Sequence, residues 1–303
     1  MRDWDDLRIF LALARAESLG RAGLALRMDA ATVGRRIARL EEGLGQRLFT
    51  RSAQGYALTP EGARLLPHAQ AVETAMLAAT DTTPLSESGL SGQIRIGAPD
   101  GCANFLLPQV VAAICAENPA LEVQIVALPR VFNLSRREAD MAIAVSPPET
   151  GRLLVQKITD YRLHLAAHQG YLDRHAPIQS LHDLRAHRLI GYIPDMIFDR
   201  ELDYLAQLGL DHVPLTSNSV AVQFHLIRQG AGVGVVHDFA LPAGADMSRV
   251  LPENFSLTRS FYLIRQAGDQ RVARLTLFAQ ALVTGLRQEV ARLEAQVAVQ
   301  PFL

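Results

Sequence analysis

Residues 18–62 read SLGRAGLALRMDAATVGRRIARLEEGLGQRLFTRSAQGYALTPEG, and their pattern decides the architecture of the first part of the chain. Val33, Ile37, Leu40 and Leu44 recur at i, i+4, i+7 and i+11, one apolar stripe on a helix predicted over Ala30 to Leu44. Asp29 stands before it as a capping carboxylate, and Gly43 and Gly45 end it. Arg35, Arg36 and Arg39 point mostly away from the stripe. Upstream, Ser18 is the N-cap candidate of a short helix with Ala22, Leu24, Ala25 and Leu26. Arg27-Met28-Asp29 forms the tight turn between the two, which is the outline of a helix-turn-helix. Leu48-Phe49 and Tyr56-Ala57-Leu58 flank Ser52-Ala53-Gln54-Gly55 and predict a small hairpin, or wing. Thr59-Pro60-Glu61 combines a capping hydroxyl, a proline at the first position and an acid in the first turn, a strong helix start.

On either side the helical period continues. Leu7, Phe10, Leu11 and Ala14 give a first helix one apolar face. From Pro60 to about Asp81, Leu65, Leu66, Ala69, Val72, Met76 and Ala79 mark one long helix whose stripe needs a partner to cover it. Pro67 lies beyond its first turn and is expected to kink it or remove one hydrogen bond. The polar run from Asp81 to Gly92, with Pro and Gly, is the expected hinge.

Beyond the hinge, strands alternate with helices. Strands are expected at Gln93–Ala98, Leu121–Ala127 and Met141–Val145, with a helix marked by Leu106, Leu107, Val110, Val111 and Ile114 and a short one at Leu134–Ala139. The pattern repeats with strands at Arg162–Ala167, Arg188–Tyr192, Leu215–Ser217, Val233–Val236 and Phe261–Ile264. Helices are expected at Phe198–Leu208, Val220–Gln229 and from Arg271 to about Val297. Such alternation argues for α/β architecture with parallel, doubly wound sheets.

Composition bounds the function. The 303 residues suffice for two or three domains, and a hydrophobic content of 49% supplies real cores. No apolar run approaches a membrane span, and the acidic start MRDWDDLRIF lacks an apolar signal core, so a cytoplasmic protein is expected. Cys102 and Cys115 form no disulfide framework. The net charge of −1 hides an asymmetry: ten Arg against eight Asp and Glu in residues 1–62, and an acidic excess in the rest. That basic patch is modest, and a charged helix face is most often only solvated.

The run from Glu17 to Gly62 resembles the winged helix-turn-helix of LysR-type transcriptional regulators. Its most specific matches are Arg35, the stretch RLEEGLG, Leu48-Phe49, Arg51 and the closing LTPEG. A weaker match runs along the whole chain. The resemblance implies a winged helix-turn-helix over 1–60, a linker dimerisation helix and hinge over 61–88, and an effector-binding domain over 89–303. That domain is similar to periplasmic solute-binding proteins, with subdomain I at 89–161 and 266–303 and subdomain II at 162–265. It implies double-stranded DNA and a small-molecule effector as partners, a homodimer or homotetramer, and no cofactor. Where the family usually has Ser, often Gln, and Ser, this chain has Asp29, Ala30 and Gly34, and Gln54 stands where the wing often carries Arg. Fewer direct contacts are then available at those positions. The DNA-contacting set is Ser18, Ala30, Ala31, Thr32, Gly34, Arg35, Arg36, Arg51 and Gln54. A helix-surface pair of Arg36 or Arg39 with Glu41 or Glu42 is the alternative role for those two.

Ligands of open α/β sheets lie at the carboxyl ends of strands. This points to Asp100, Gly101 and Cys102, to Pro129 and Arg130, to Ser146, to Ile193 and Pro194 within Tyr192–Asp195, and to Asn218 and His237. Helix N-termini favour anions, so a small organic carboxylate is the default effector, with Arg130 as a candidate pair. Cys102 reads as a small pocket-lining residue rather than a redox sensor. The spacings His164/His168 and His182/His187 make no metal site. Catalytic residues are not expected, because no nucleophile and base are paired. The reading is a sequence-specific transcriptional regulator controlled by an effector bound between two C-terminal subdomains. The alternative is a small-molecule binding protein or enzyme on the α/β domain, with the N-terminal segment as an oligomerisation module.

Overall fold

The structure, a computed structural model, describes residues 4–52, 55–80, 89–127, 139–148, 153–205, 208–209 and 212–298. The expected wing tip at Gln54, the hinge after Thr80, the short helix at Leu134 and the site residues Pro129 and Arg130 lie outside these residues. The chain divides into two compact units, one built from the elements between Trp4 and Thr80, the other from those between Gly92 and Gln266 with most of the last helix.

In the first unit, α1 (Trp4–Ala16), α2 (Leu19–Leu26) and α3 (Ala30–Leu44) precede the hairpin β1 (Phe49–Ser52) and β2 (Gly55–Leu58), and α4 (Pro60–Thr80) closes it. The stripe of α3 meets α1 and the wing: Ile9, Phe10, Leu13, Val33, Leu40 and Leu48 are fully buried. Each such side chain contributes roughly 1.5–3 kcal/mol of burial. The turn after α2 is set by Arg27, which takes a left-handed φ of 55° and returns its amide to Gly23 and Leu24. Gly23 is required there, because a Cβ would stand 2.5 Å from the Met28 carbonyl oxygen. Asp29 caps α3 through the Thr32 amide at 2.8 Å, and Gly45 at φ 64° ends it. Gly43 lies inside the helix. Ser18 occupies the N-cap position of α2 with no side-chain capping bond. The wing is tied down by Tyr56, whose amide donates to the Glu17 carbonyl at 2.9 Å, and by Thr59, whose hydroxyl donates to the Arg47 carbonyl at 2.7 Å. Helix α4 runs through Pro67 without interruption.

Among the described residues, the second unit is built on one mixed sheet of nine strands. Strands β3 (Gly92–Ala98), β4 (Leu121–Ala127) and β5 (Met141–Ala144) are parallel, with α5 (Asp100–Phe105) and α6 (Leu107–Glu117) following β3. Strands β7 (Leu189–Gly191), β8 (Leu215–Thr216) and β9 (Val233–His237) form a second parallel group, with α8 (Val220–Arg228) between β8 and β9. The groups are joined by two long antiparallel strands, β6 (Leu153–His168) and β11 (Ser256–Gln266). On one side Tyr262–Arg265 of β11 pair with β5; on the other Leu163–Ala167 of β6 pair with β9, and β10 (Met247–Val250) pairs with the end of β6. The short helix α7 (Gln169–Leu172) follows β6, and α9 (Ala273–Ala298) ends the described chain.

Three expectations are corrected. Arg162–Ala167 and Phe261–Ile264 are pieces of strands of 16 and 11 residues. The rest of β6 exposes Gln156, Lys157 and Asp160, so its composition looks like loop. Strand β10 had no sequence counterpart among the expected elements. In place of the helix expected over Phe198–Leu208, the described residues 198–205 hold a 3-10 turn, Arg200–Leu202. Asp199 caps that turn through the Glu201 amide at 2.9 Å and also accepts from the Ser146 hydroxyl.

Candidate functional site

Two surfaces carry chemistry, one in each unit. In the first, the start of α3 presents Ala30, Ala31 and Arg35 to solvent, with Thr32 and Gly34 half-buried beside them. Asp29, Thr32 and Arg35 form a ladder: the Thr32 hydroxyl donates to Asp29 Oδ2 at 2.6 Å, and Arg35 Nη2 donates to Thr32 Oγ1 at 2.9 Å. Hydrogen bonds from the Thr32 hydroxyl and then the Thr32 amide hold the Asp29 carboxyl below its ordinary value. Gly34 and Arg51 line one groove between α3 and the wing, with Leu19, Thr50 and Tyr56. Arg21, Arg27 and Arg51 are exposed.

Arg36 is different. Its Nε donates to Asp6 Oδ1 at 2.7 Å and its Nη2 to Asp5 Oδ2 at 2.8 Å, both on α1. Arg39 joins the same carboxylate, Nη2 to Asp6 Oδ1 at 2.6 Å. The expected alternative, pairing with Glu41 or Glu42, is not how these two arginines are held. Glu41 is buried and turned to the wing, where Oε1 accepts from the Leu48 and Phe49 amides at 2.7 and 3.1 Å and Oε2 pairs with Arg47 at 2.9 Å. It joins the end of α3 to the start of β1.

In the second unit a cleft lies beside the crossing strands. Asp100, Gly101, Cys102, Asn218 and His237 line it together, each from a strand end or a helix start. Its walls are aromatic: Tyr161 stacks on Phe261 with centroids 4.1 Å apart, and Tyr192 and Tyr204 meet edge to face. The space left is about 10 Å³ for the centre of a water molecule, room for one water. Burial pushes the Cys102 thiol and the Tyr161, Tyr192 and Tyr204 phenols up, and depresses His237 to about 3, so its imidazole is neutral.

This arrangement can be compared with known proteins. The model of the bacterial regulatory helix-turn-helix protein, lysR family, matches residues 4–63, and that of the LysR substrate binding domain matches residues 87–287. The chain belongs to the LysR family. It is 31% identical over 261 residues to a probable hydrogen peroxide-inducible genes activator of Mycobacterium avium, covering 84% of this chain and 83% of the relative. It is 26% identical over 295 residues to the HTH-type transcriptional regulator PtxR of Pseudomonas aeruginosa, covering 95% and 94%. Full-length OxyR C199D from Pseudomonas aeruginosa shares the fold with a TM-score of 0.71 at 19% identity, covering 95% of each chain. This LysR-family chain is therefore a DNA-binding regulator of transcription under effector control, with a helix-turn-helix unit and a periplasmic-binding-protein-like α/β unit.

Within this LysR chain, five of the ten effector-site residues expected from sequence share the cleft. Ser146 is bonded to Asp199 beside the cleft-lining Val145. Ile193 precedes the 3-10 turn Pro194–Met196, and Pro194 lines a neighbouring depression with Ile197 and Asp203. Sequence reasoning missed Tyr161, Phe198, Tyr204 and Phe261 as lining residues. They arrive from separate elements, and no local pattern marks them.

Proposed function

We propose that the exposed start of α3 reads operator DNA, with Thr32 and Arg35 as the principal contacts and Arg51 on the wing as a phosphate contact. The observation carrying this is the Asp29–Thr32–Arg35 ladder, which holds a guanidinium at the solvent face of the recognition helix in advance of binding. Ala30, Ala31 and Gly34 bring the backbone close without adding donors. Ser18 keeps its hydroxyl out of the helix cap, where a phosphate oxygen could take it up. Gln54 belongs to the proposed set at the wing tip. Arg36 is assigned to holding α3 on α1, because its guanidinium is engaged by Asp5 and Asp6.

The division into 1–60, 61–88 and 89–303, the last in two subdomains, is the organisation we adopt. Val72 and Met76 on α4 are 39% and 45% exposed, and the same helix of a second copy would cover them. A homodimer follows, with two recognition helices about one helical turn of DNA apart, and a homotetramer by pairing of dimers. The effector is a small molecule bound between the two C-terminal subdomains, acting by unequal affinity for two assembly states. The protein is proposed to work in the cytoplasm and without enzymatic activity; no described helix is long and apolar enough to cross a membrane. Peroxide sensing, which the name of the Mycobacterium avium relative raises, is not favoured: Cys102 is fully buried and its thiol is pushed up. The test is a gel shift on the DNA upstream of its own gene, titrated with salt. Specific binding that falls steeply with salt is expected; salt-independent or absent binding overturns the reading.

A further inference from the structure

Helix α4 is clamped to α1 by an ion pair. Arg15, in the last turn of α1, donates from Nη1 to Glu73 Oε1 at 3.0 Å and from Nη2 to Glu73 Oε2 at 2.6 Å. Two guanidinium nitrogens meet the two carboxylate oxygens, a bidentate geometry that fixes orientation as well as distance. The side chains are 21% and 19% exposed, so solvent ions screen the pair less than a surface pair. Arg15 Nε is buried and has no hydrogen-bond partner among the described residues, so the guanidinium relies on Glu73.

The position of the pair along α4 gives it a purpose. Ala69 is fully buried in the core of the winged unit, and Leu65 and Leu66 pack against that core. Val72 and Met76, on the next turns, are exposed. Pro67 lies between Glu73 and the start of the helix, where Thr59 Oγ1 accepts from the Gly62 amide at 3.0 Å. Proline donates no helical hydrogen bond, and sharp kinks of more than about 20° occur mostly at proline. Glu73 stands about 9 Å further along the axis. The ion pair therefore ties down the far side of the turn that lacks a hydrogen bond. Operator spacing responds to far smaller angles. With recognition helices about 34 Å apart, a swing of roughly 6° by each unit at a radius of about 17 Å changes their separation by about one base pair, ~3.4 Å.

We propose that Arg15 and Glu73 are positioning residues for operator recognition: they hold α4 at one angle to the helix-turn-helix and so set the half-site spacing that the dimer accepts. Neither residue touches DNA. Arg15 acts through Glu73, and Glu73 acts through the direction of α4, whose exposed Val72 and Met76 would meet the second copy. Charge alone does not suffice, because a lysine would keep the cation and lose the fork. This rests on the reading of α4 as the dimerisation helix.

The test is a gel-shift series with full-length wild type, Arg15→Gln, Glu73→Gln and the double variant. The probes are the operator footprinted upstream of its own gene, the same operator with its half-sites one base pair closer or further apart, and an isolated half-site. Wild type is expected to prefer the native spacing by about tenfold or more. Each single variant is expected to keep about threefold or less of that preference while binding the isolated half-site within about twofold of wild type. The double variant is expected to match the singles, because all three remove the same interaction. Arg15→Lys serves if Arg15→Gln does not fold, with a loss of spacing preference in the same direction. Variants that keep the wild-type spacing profile, or that weaken every probe by one factor, overturn the assignment, as do additive losses in the double variant. Sedimentation of the wild type separates the two readings. A dimeric wild type whose variants keep its spacing profile defeats only the role of the ion pair. A monomeric wild type indifferent to spacing defeats the dimer reading on which that role rests.

Discussion

Arg36 donates from Nε to Asp6 Oδ1 at 2.7 Å, and this contact turns a basic residue of the recognition helix toward α1. Asp6 is 6% exposed, so it depends on the arginines that reach it. Arg36→Ala is expected to destabilise the helix-turn-helix unit by about 1.5–3 kcal/mol, the worth of hydrogen bonds to charged groups, with Arg39 still bonded to Asp6. Arg35→Ala is expected to leave stability within about 0.5 kcal/mol and to weaken operator binding by about 1–3 kcal/mol. Urea unfolding and gel shifts on both variants check this. An Arg36→Ala protein of full stability and reduced affinity would return Arg36 to the DNA contacts.

The same carboxyl makes the first unit sensitive to acid. Burial raises the Asp6 pKa, but hydrogen bonds from Arg39 and Arg36 outweigh it and leave the group below its usual value. The folded state thus favours the ionised form. Its contribution is fully present above the unfolded carboxylate value, near pH 4, and is lost as pH falls through the lower folded value. Unfolding midpoints of wild type and Asp6→Asn are expected to converge below about pH 4. A gap that stays constant from pH 7 to pH 3 would show that Asp6 contributes through shape alone.

His237 titrates in the opposite chemical sense with the same sign for stability. Its folded pKa, about 3, lies below the unfolded imidazole value, so the unfolded chain binds the extra proton in between. The stabilising preference is complete above about pH 6.5 and is lost as pH falls toward 3, by at most about 1.4 kcal/mol per pH unit. Urea unfolding at pH 7, 5.5 and 4 should show a shallower pH dependence for His237→Phe than for wild type. Equal slopes would mean that the imidazole is solvated.

Cys102 is fully buried and its thiol is pushed up by that burial, whereas Cys115 is partly exposed. Thiolate character and access together set thiol reactivity. Mass spectrometry after peroxide and after iodoacetamide is expected to find Cys102 unmodified in the native protein and labelled only in denaturant. Oxidation of Cys102 in the native state, or loss of DNA binding on peroxide treatment, would contradict this.

Gly23→Ala places a Cβ 2.5 Å from the Met28 carbonyl oxygen, a backbone atom that the turn cannot move freely. The expected cost is about 1–3 kcal/mol of overpacking, with operator binding lost beyond what stability explains, because the angle between α2 and α3 is set there. Thermal unfolding and gel shifts measure both. Gly34→Ala is the control: its Cβ would meet only the Leu19 side chain at 3.6 Å.

The first unit was legible because its signals are local. Asp29, the stripe from Val33 to Leu44, Gly45 and Thr59-Pro60 each act within a few residues, and the structure uses them in that way. The strands of the parallel groups were legible as short apolar runs. The long β6 and β11 were read short, because their polar, half-exposed portions are held by pairing with each other rather than by any pattern in the chain.

By itself, then, the sequence determined the helix-turn-helix and wing, the α/β character of the rest, and the strand ends where Asp100, Cys102, Asn218 and His237 gather. Only the tertiary structure decided which arginines remain available and what the cleft can hold. Arg35 and Arg36 are neighbours of one residue type, yet one faces solvent and the other is held by carboxylates some 30 positions away in the chain. Asp100 looked like a ligand for an effector and proved to be bonded to donors 119 and 121 positions downstream. Charge partners of that separation leave no periodicity or motif. They exist only when folding brings the groups within hydrogen-bonding distance, and there the electrostatics of the site is set.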